Sequence, residues 1–381
     1  MVDFQLSDEQ RALQRATESF AATLNEGLEG RDSAHEFSVD GWRRCARFGM
    51  QGLVVPEKYG GQGADPLAAA VALEALGYGC RDNGLIFSLN AQMWSASAPI
   101  LRFGTDEQKG RYLPGMCSGE IIGVQGMTEP GAGSDSFSMS TRATASDDGW
   151  VLTGNKTFIT NAPVADIFVI FATEDPGRGW AGLTAFLVPR DTPGLTIGSP
   201  FHKLGLHTSP MSELAFDDCR LPRSAVLGAS GLGMTIFNHS MDWERSFILA
   251  SAVGTMRRQL ETTIRHAKAR EQFGQPIGKF QAVSHRIVDM KMRHHTAQLL
   301  LYHMAWRKTR GERTPMETAL VKLYVSESWV ASSLDQVQIH GGYGYLTESG
   351  LERDLRDAIG SRIYSGTSEI QRNLVARTLG L

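Results

Sequence analysis

The sequence predicts an α+β protein with a helical N-terminal domain (residues 1–120), a central antiparallel β domain (121–230) and a C-terminal helical bundle (231–381). Three observations support this prediction. Helical periodicity dominates the first part of the chain, short β-rich runs fill the middle, and long helical patterns return afterwards. The 381 residues also exceed the size at which one core usually stops growing, about 250–300 residues, so we expect more than one domain.

The composition narrows the class of protein. Hydrophobic residues make up 42% and charged residues 21% of the chain, as in folded globular proteins, so extensive disorder is excluded. The net charge of −3 argues against a surface for general nucleic-acid binding. The four cysteines form no CxxC pair, which argues against a zinc or disulfide framework and favours reduced thiols in the cytoplasm. No apolar run is long enough to cross a bilayer, so we expect no membrane span. The cysteine spacing contains no zinc-binding pattern, and we expect no metal ion.

The N-terminal region reads as helix from its first polar residues. Ser7 precedes acidic residues and a helical pattern that continues to about Leu28, which is typical of an N-cap. Residues 37–49, 66–79 and 82–102 continue the helical pattern, and KYGGQG at 58–63 interrupts it.

The pattern changes near Ile121 and again near Gly231. Between them, runs such as GWVLTGNKTFITNA, IFVIFAT and SELAFDDCRLP are separated by turn residues, as expected for an antiparallel sheet or barrel. No strand alternates with a long helix, which argues against a parallel doubly wound sheet. After Gly231, the segments near 233–271, 279–309, 315–340 and 366–378 are long enough for a helical bundle.

Five strings suggest a cofactor site. GMTEPGAGSDS (126–136) combines small residues, which allow close backbone approach to a ligand, with hydroxyl groups; taken alone, it is equally compatible with a tight inter-strand turn. GNKTFITNA, AREQFGQPIGKFQ, QIHGGYGY and SRIYSGTSEIQR follow it in order. Together with the helix–sheet–helix layout, the five strings make nearly the whole chain resemble the acyl-CoA dehydrogenase family of FAD enzymes. No G-x-G-x-x-G follows an early strand, so a Rossmann domain is not expected to hold the FAD.

The resemblance implies a set of flavin contacts and a shared site. Arg270, Gln272 and Phe273, with Gln338 and Gly342, match family positions that reach FAD across a subunit interface, so the resemblance implies a homotetramer or at least a dimer. Read singly, Arg270 is better explained as a surface cation and Gln338 as an ordinary polar residue at a helix end; the five ordered strings together favour the cofactor interpretation. The full matching set is Met127, Thr128, Ser134, Phe158, Thr160, Arg270, Gln272, Phe273, Gln338, Gly342, Thr367 and Glu369. Ser134, Arg245 and Ser365 form the expected substrate-binding set, with Ser134 near the thioester arm and the backbone N–H of Ser365 on the thioester carbonyl.

The catalytic base is expected in an unusual place. Many family members have a glutamate where this chain has Ser365, and an unassisted hydroxyl is far too weak to remove a proton from carbon. Glu244 lies on a largely apolar helical stripe with Phe237, Met241, Ile248 and Thr255, where burial raises the pKa of a carboxyl toward that of a useful base. The string MDWERS also resembles relatives whose glutamate comes from this helix.

The residues leave other assignments open. A purely structural pairing of Glu244 with Arg245 or another arginine competes with the base assignment, and Asp242 and Glu369 are weaker candidates for the base. Asp354 and Asp357 resemble helix ion pairs. Arg257, Arg258 and Arg265 form a basic cluster that could face a partner or simply be solvated.

The same strings resemble flavin dehydrogenases of antibiotic pathways, in particular those that oxidise a carrier-protein-bound prolyl ring to a pyrrole. This resemblance implies an acyl or peptidyl carrier protein as partner, and an electron-transfer flavoprotein or dioxygen as electron acceptor. A short- or branched-chain acyl-CoA substrate is the alternative. A flavin-binding or assembly subunit without turnover, and flavin chemistry that ends in cyclisation or reaction with dioxygen, also stay open.

Overall fold

The computed structural model describes residues 5–381, and its N-terminal part is helical as predicted. Ser7 caps the first helix: its hydroxyl accepts the Gln10 N–H at 3.1 Å, and the Gln10 side chain accepts the Ser7 N–H at 2.9 Å. The helices of this region are α1 (Asp8–Ala22), α2 (Leu28–Ala34), α3 (Val39–Phe48), α4 (Pro66–Gly79), α5 (Asn83–Ala91), α6 (Ala98–Phe103) and α7 (Asp106–Ser118).

A π-helical segment joins α5 to α6. The sequence predicted one helix over 82–102, and the chain is helical there, but Gln92–Ser97 has π geometry. Every residue from Asn83 to Ile100 is buried, so no polar face marks the change of helical phase in the sequence. Such π segments are frequent at functional sites because they redirect side chains.

The middle region is an eight-stranded sheet of order β6-β7-β3-β2-β4-β5-β8, with β1 pairing β4. The strands are β1 (Gly123–Gly126), β2 (Arg142–Ser146), β3 (Gly149–Thr160), β4 (Ile167–Thr173), β5 (Leu183–Pro189), β6 (Leu195–Ile197), β7 (Met211–Pro222) and β8 (Val226–Leu227). Most pairs are antiparallel as predicted, but β1 runs parallel to β4 and the single β2–β4 pair is also parallel. The sheet is therefore mixed.

The pairing of β3 with β7 shifts register between Lys156 and Ile159. Phe158 lies inside this irregularity with φ +58° and is 61% exposed. Bulges of this kind turn a side chain out of its normal alternation and are common beside active sites. The irregularity explains why the Phe158 side chain, between buried Thr157 and Ile159 on this half-buried strand, faces open space.

The C-terminal region returns to helix. Its elements are α8 (Gly233–Phe247), α9 (Ala250–Ala269), β9 (Glu271–Gln272), β10 (Gln275–Pro276), α10 (Gln281–Thr309), α11 (Pro315–His340), α12 (Gly342–Tyr345), α13 (Leu351–Gly360) and α14 (Ser368–Thr378). The helical segment predicted near 233–271 forms two helices, because α8 ends at Phe247 and α9 begins at Ala250. Thr255 therefore lies on α9 and not on the stripe of Glu244.

Two glycines bring the N-terminal and C-terminal helices into backbone contact. A Cβ on Gly77 of α4 would lie 1.9 Å from the Ser251 carbonyl oxygen, and one on Gly254 of α9 would lie 1.9 Å from the Glu74 carbonyl oxygen. Any side chain at either position would push the helices apart, so glycine is required for this crossing.

The secondary structure changes from helix to strand between Ser118 and Gly123, and back to helix between Leu227 and Gly233. The division into three domains near residues 120 and 230 stays a prediction. Within residues 5–381, no helix has the length and apolar character that crossing a membrane requires. The same described residues contain no group of three or more His, Cys, Asp or Glu side chains arranged to hold a metal ion.

Candidate active site

A cavity of about 630 Å³ lies where the sheet meets the helices of both helical regions. Residues of the π segment, of the loop after β1, of β3, of α8 and of the turn before α14 line it. It brings together many of the residues that the sequence singled out. Those that line it are Met127, Thr128, Ser134, Phe158, Thr160, Glu244, Arg245, Ser365 and Thr367.

Glu244 is a buried carboxylate with two hydroxyl donors. Only 8% of the residue is exposed. The Ser95 hydroxyl donates to one carboxylate oxygen at 3.0 Å, and the Ser365 hydroxyl donates to the other at 2.5 Å. Burial raises the pKa of Glu244, and the two hydroxyls with the charges of Arg245 and Lys322 limit the rise. The predicted burial of Glu244 is thus confirmed, and Phe237, Met241 and Ile248 of its stripe also line the cavity.

The Ser365 hydroxyl reaches Glu244 from a tight left-handed turn. Ser365 has φ +57° and Gly366 has φ +87°. The Arg245 guanidinium lies next to this turn, and its Nε donates to the Ser365 carbonyl oxygen at 3.0 Å. Arg245 therefore supports the backbone beside Glu244, and within residues 5–381 it forms no ion pair with the Glu244 carboxylate at salt-bridge distance.

The glycine-rich loop that follows β1 is fixed by a buried ion pair. Lys156 Nζ of β3 contacts the Glu129 carboxylate at 2.8 Å and donates to the Met127 carbonyl oxygen at 3.2 Å. The second Glu129 oxygen accepts the N–H and the hydroxyl of Ser140, both at 2.6 Å. Burial opposes ionisation of Glu129, yet the Lys156 charge lowers its pKa to about 2, and burial lowers the pKa of Lys156 to about 8. The ion pair holds Met127 and Thr128 at the cavity wall.

The remaining wall suits a flat aromatic cofactor with a phosphorylated arm. Phe158 presents its exposed ring next to Phe201, with 5.8 Å between the ring centroids. Hydroxyls of Thr128, Ser134 and Thr160 line the cavity and can donate to or accept from polar ligand atoms. Thr367 caps α14, whose N-terminus opens beside the cavity and favours an anionic group such as phosphate.

Six predicted flavin contacts lie outside this cavity. Glu369 is exposed in the first turn of α14. The other five are exposed at the far ends of α9 and α11, which meet through stacked rings of His266 and His340, 4.1 Å apart. These five residues are Arg270, Gln272, Phe273, Gln338 and Gly342.

The other acidic candidates have structural partners. Lys308 Nζ donates to Asp242 at 2.5 Å, and Arg258 contacts Asp354 at 3.3 Å. The ion pair suggested for Asp357 is wrong: its oxygens accept the Leu206 N–H at 2.6 Å and the Asn83 amide at 3.0 Å. Burial raises the pKa of Asp357 to about 7.

Sequence reasoning missed Ser95, Glu129 and Lys156. Nothing marks Ser95 in the chain, because it lies in a wholly buried segment and its direction depends on the π geometry. Glu129 and Lys156 could have been identified from the sequence. A lysine on an otherwise half-buried strand and a glutamate in a glycine-rich loop both need partners if buried, and their charges are opposite.

Three family models cover most of the chain. The N-terminal, middle and C-terminal domain models of acyl-CoA dehydrogenase match residues 7–120, 125–219 and 231–380. The chain belongs to the acyl-CoA dehydrogenase family. It is 45% identical over 353 residues to the L-prolyl-[peptidyl-carrier protein] dehydrogenase of Pseudomonas fluorescens, covering 92% of this chain and 93% of that protein.

Two solved structures are similar over their whole length. The prolyl acyl carrier protein oxidase AnaB has 48% sequence identity and a TM-score of 0.98, with 99% of this chain and 100% of that chain covered. PigA with FAD and proline has 41% identity and a TM-score of 0.98, with both chains fully covered. The predicted fold class is confirmed by these likenesses.

We predict that Lys156→Met destabilises the protein by about 3–5 kcal/mol, because it leaves the Glu129 carboxylate buried without its counter-charge. Adding Glu129→Gln should recover much of this loss. Urea denaturation of the wild type, both single variants and the double variant, followed by circular dichroism, measures the effect. Additive losses in the double variant would contradict the coupling.

Proposed function

We propose that this protein is an FAD-dependent dehydrogenase that oxidises an aminoacyl thioester carried by a peptidyl or acyl carrier protein, with L-prolyl to pyrrolyl as the reaction. The observation that supports this proposal most directly is the buried Glu244 carboxylate, which lines the cavity and accepts hydrogen bonds from Ser95 and Ser365. The similar proteins that act on prolyl carrier proteins support the substrate class.

The cofactor follows from the cavity wall. The Phe158 ring, the hydroxyls of Thr128, Ser134 and Thr160, and the N-terminus of α14 fit the ring, polar edge and phosphates of FAD. PigA, with 41% identity, has been solved with FAD and proline. Bound FAD supplies the two-electron acceptor for a substrate hydride.

Glu244 is the group that takes the substrate proton. A thioester acidifies the hydrogen on its α-carbon, and a buried carboxylate with a raised pKa is a stronger base than an ordinary glutamate. The proton passes to a Glu244 oxygen as the β-hydrogen leaves with its electron pair. Conversion of prolyl to pyrrolyl takes two such two-electron oxidations, so between them Glu244 must release its proton and two electrons must pass from the reduced FAD to the external acceptor.

Cationic side chains line a second cavity through which the phosphopantetheine arm could deliver the thioester. A second cavity of about 640 Å³ shares Arg245 with the first, so this side chain lies between them. Lys308, Arg313 and Arg377 also line the second cavity, against the acidic Asp242 and Glu312. This excess of cations suits the phosphodiester of a phosphopantetheine arm.

The basic cluster suggested by the sequence is less suited to a carrier protein. Arg257 contacts Glu18 at 2.7 Å and Glu261 at 3.1 Å. Arg258 donates to the Gly77 and Cys80 carbonyl oxygens. Two of the three arginines are thus engaged in contacts within this chain.

The substrate class is tested by offering thioesters to the purified protein in the absence of oxygen and following the flavin absorbance. We expect prolyl-loaded carrier protein to bleach the flavin absorbance, and butyryl-CoA and isovaleryl-CoA to bleach it at least about tenfold more slowly. Faster bleaching by an acyl-CoA would favour the acyl-CoA dehydrogenase alternative. A colourless protein that binds no FAD would favour a subunit without turnover.

In the same assay, Glu244→Gln should bind FAD normally and lose at least about a hundredfold in bleaching rate, because an amide cannot take the proton. Glu107→Gln makes the same chemical change at an exposed site on α7 and should behave as wild type. Full bleaching in Glu244→Gln would remove Glu244 from the mechanism.

We predict that Ser365→Ala moves the acidic limb of the kcat profile to higher pH. The base works when deprotonated, so activity is lost as pH falls through its pKa. The Ser365 hydroxyl stabilises the carboxylate and lowers that pKa, so its removal raises the pKa further. Rates of flavin reduction at saturating substrate between pH 5 and 9 measure the limb. An unchanged limb would show that the hydrogen bond does not act on the base.

We also propose a homotetramer in the cytoplasm. Val288, Met292, Leu299 and Trp306 are exposed on one face of α10, since they are spaced by four and seven residues. Phe273, 94% exposed at the tip of the β9–β10 hairpin, extends this apolar surface. A second copy on this face would explain why Arg270 and Gln272 lie outside the cavity of the chain to which they belong.

The cysteines support the cytoplasmic location. The four cysteines are free and buried, as expected in a reducing compartment.

Sedimentation of the purified protein at micromolar concentration tests the assembly. We expect a single species of four chains, and Met292→Glu with Trp306→Glu should reduce it to smaller species by placing charges in the interface. A monomeric wild type would contradict the shared site.

The electron acceptor is tested separately. Hydrogen peroxide release in air distinguishes dioxygen from an electron-transfer flavoprotein as acceptor.

A further inference from the structure

We infer that Lys322 is a positioning residue for the proposed reaction, holding the Ser365–Gly366 turn so that the Ser365 hydroxyl stays on Glu244. This inference rests on the proposed function. Lys322 lies on α11, has no exposed surface and does not line the catalytic cavity. It therefore acts through the turn and not on the substrate.

Lys322 forms hydrogen bonds on both sides of the turn. Its Nζ donates to the Gly366 carbonyl oxygen at 2.7 Å and to the Ser361 carbonyl oxygen at 2.9 Å. These two carbonyls bracket the segment that contains Tyr364 and Ser365, both of which line the cavity. One ammonium group thus joins the end of α13 to the start of α14 across the wall of the site.

Two other side chains donate hydrogen bonds to the same turn. Gln371 Nε2 donates to the Gly366 carbonyl oxygen at 3.0 Å, and Arg245 Nε donates to the Ser365 carbonyl oxygen at 3.0 Å. Donors from α8, α11 and α14 therefore converge on two consecutive peptide groups. This convergence over-determines a left-handed serine that would otherwise be strained, which is the arrangement expected where a turn must not relax.

A lysine is a costly choice for a purely structural clamp. Burial of an ammonium group is unfavourable unless acceptors surround it, and a neutral side chain such as Gln371 can donate to the same carbonyl. Burial lowers the pKa of Lys322 to about 7, and in its protonated form Lys322 also favours the ionised form of Glu244. The other charged groups around Lys322 are Arg245, Glu327 and Glu369, and the Tyr364 ring lies 5.9 Å from its Nζ. Positioning the turn and stabilising the carboxylate both serve the base.

The test is Lys322→Met in the FAD-loaded enzyme with prolyl-loaded carrier protein. We expect kcat to fall about ten- to a hundredfold with KM changed less than about threefold, and the acidic limb to move to higher pH. Lys58→Met, at an exposed site, should change neither parameter. Normal kcat and an unmoved limb in folded, FAD-loaded Lys322→Met would overturn the inference.

A double-variant cycle separates positioning from general support of the fold. If Lys322 acts through Ser365, Lys322→Met should lower kcat much less in a Ser365→Ala background than in the wild type. Equal effects in both backgrounds would overturn the inference. If Lys322→Met does not fold, Gln371→Leu removes another donor to the Gly366 carbonyl and should move kcat and the limb in the same direction. Unchanged kcat and an unmoved acidic limb in Gln371→Leu would then contradict the proposed role of the Ser365–Gly366 turn. Activity in Glu244→Gln would instead mean that the proposed function itself is wrong.

Discussion

The site depends on one buried carboxylate whose two oxygens are held by hydroxyls from distant parts of the chain. Ser95 lies 149 residues before Glu244, and Ser365 lies 121 residues after it. Removing a carboxylate from water raises its pKa, and two hydroxyl donors keep it available as an anion. The opposing effects of burial and hydrogen bonding suit a base that must both accept and release a proton. Other features of the site can be understood as means of bringing these three groups together.

Irregular backbone supplies much of the site. Ser95 lies in a π-helical segment, Phe158 in a register shift of β3, and Ser365 in a left-handed turn. Each departure from regular geometry points a side chain in a direction that a standard helix or strand would not allow. Regular elements around them provide the rigidity, because helix packing and sheet hydrogen bonds fix where each irregular segment begins and ends. Such strain is tolerated because many neighbouring contacts determine the conformation.

Buried lysines hold two segments of the cavity wall, the loop after β1 and the turn before α14. Lys156 fixes the loop that contains Met127, and Lys322 fixes the turn that contains Ser365. Both lysines donate to backbone carbonyl oxygens and neither lines the cavity. A carbonyl acceptor gives a direction as well as an energy, so these lysines set the orientation of peptide groups at the wall. The protein thus uses charge inside its core mainly to position backbone.

The sequence by itself determined the order of helix, sheet and helix, the burial of Glu244 and the strings around the cavity, because hydrophobic periodicity and turn residues act locally. It also indicated that Ser365 could not be the base, since that follows from side-chain chemistry alone. Only the tertiary structure decided that β1 runs parallel to β4, that the helix before Thr255 breaks, that Ser95 contacts Glu244 and that Lys322 contacts the Gly366 carbonyl. Those features depend on contacts between residues far apart in the chain, and local patterns contain no information about which distant segments will meet.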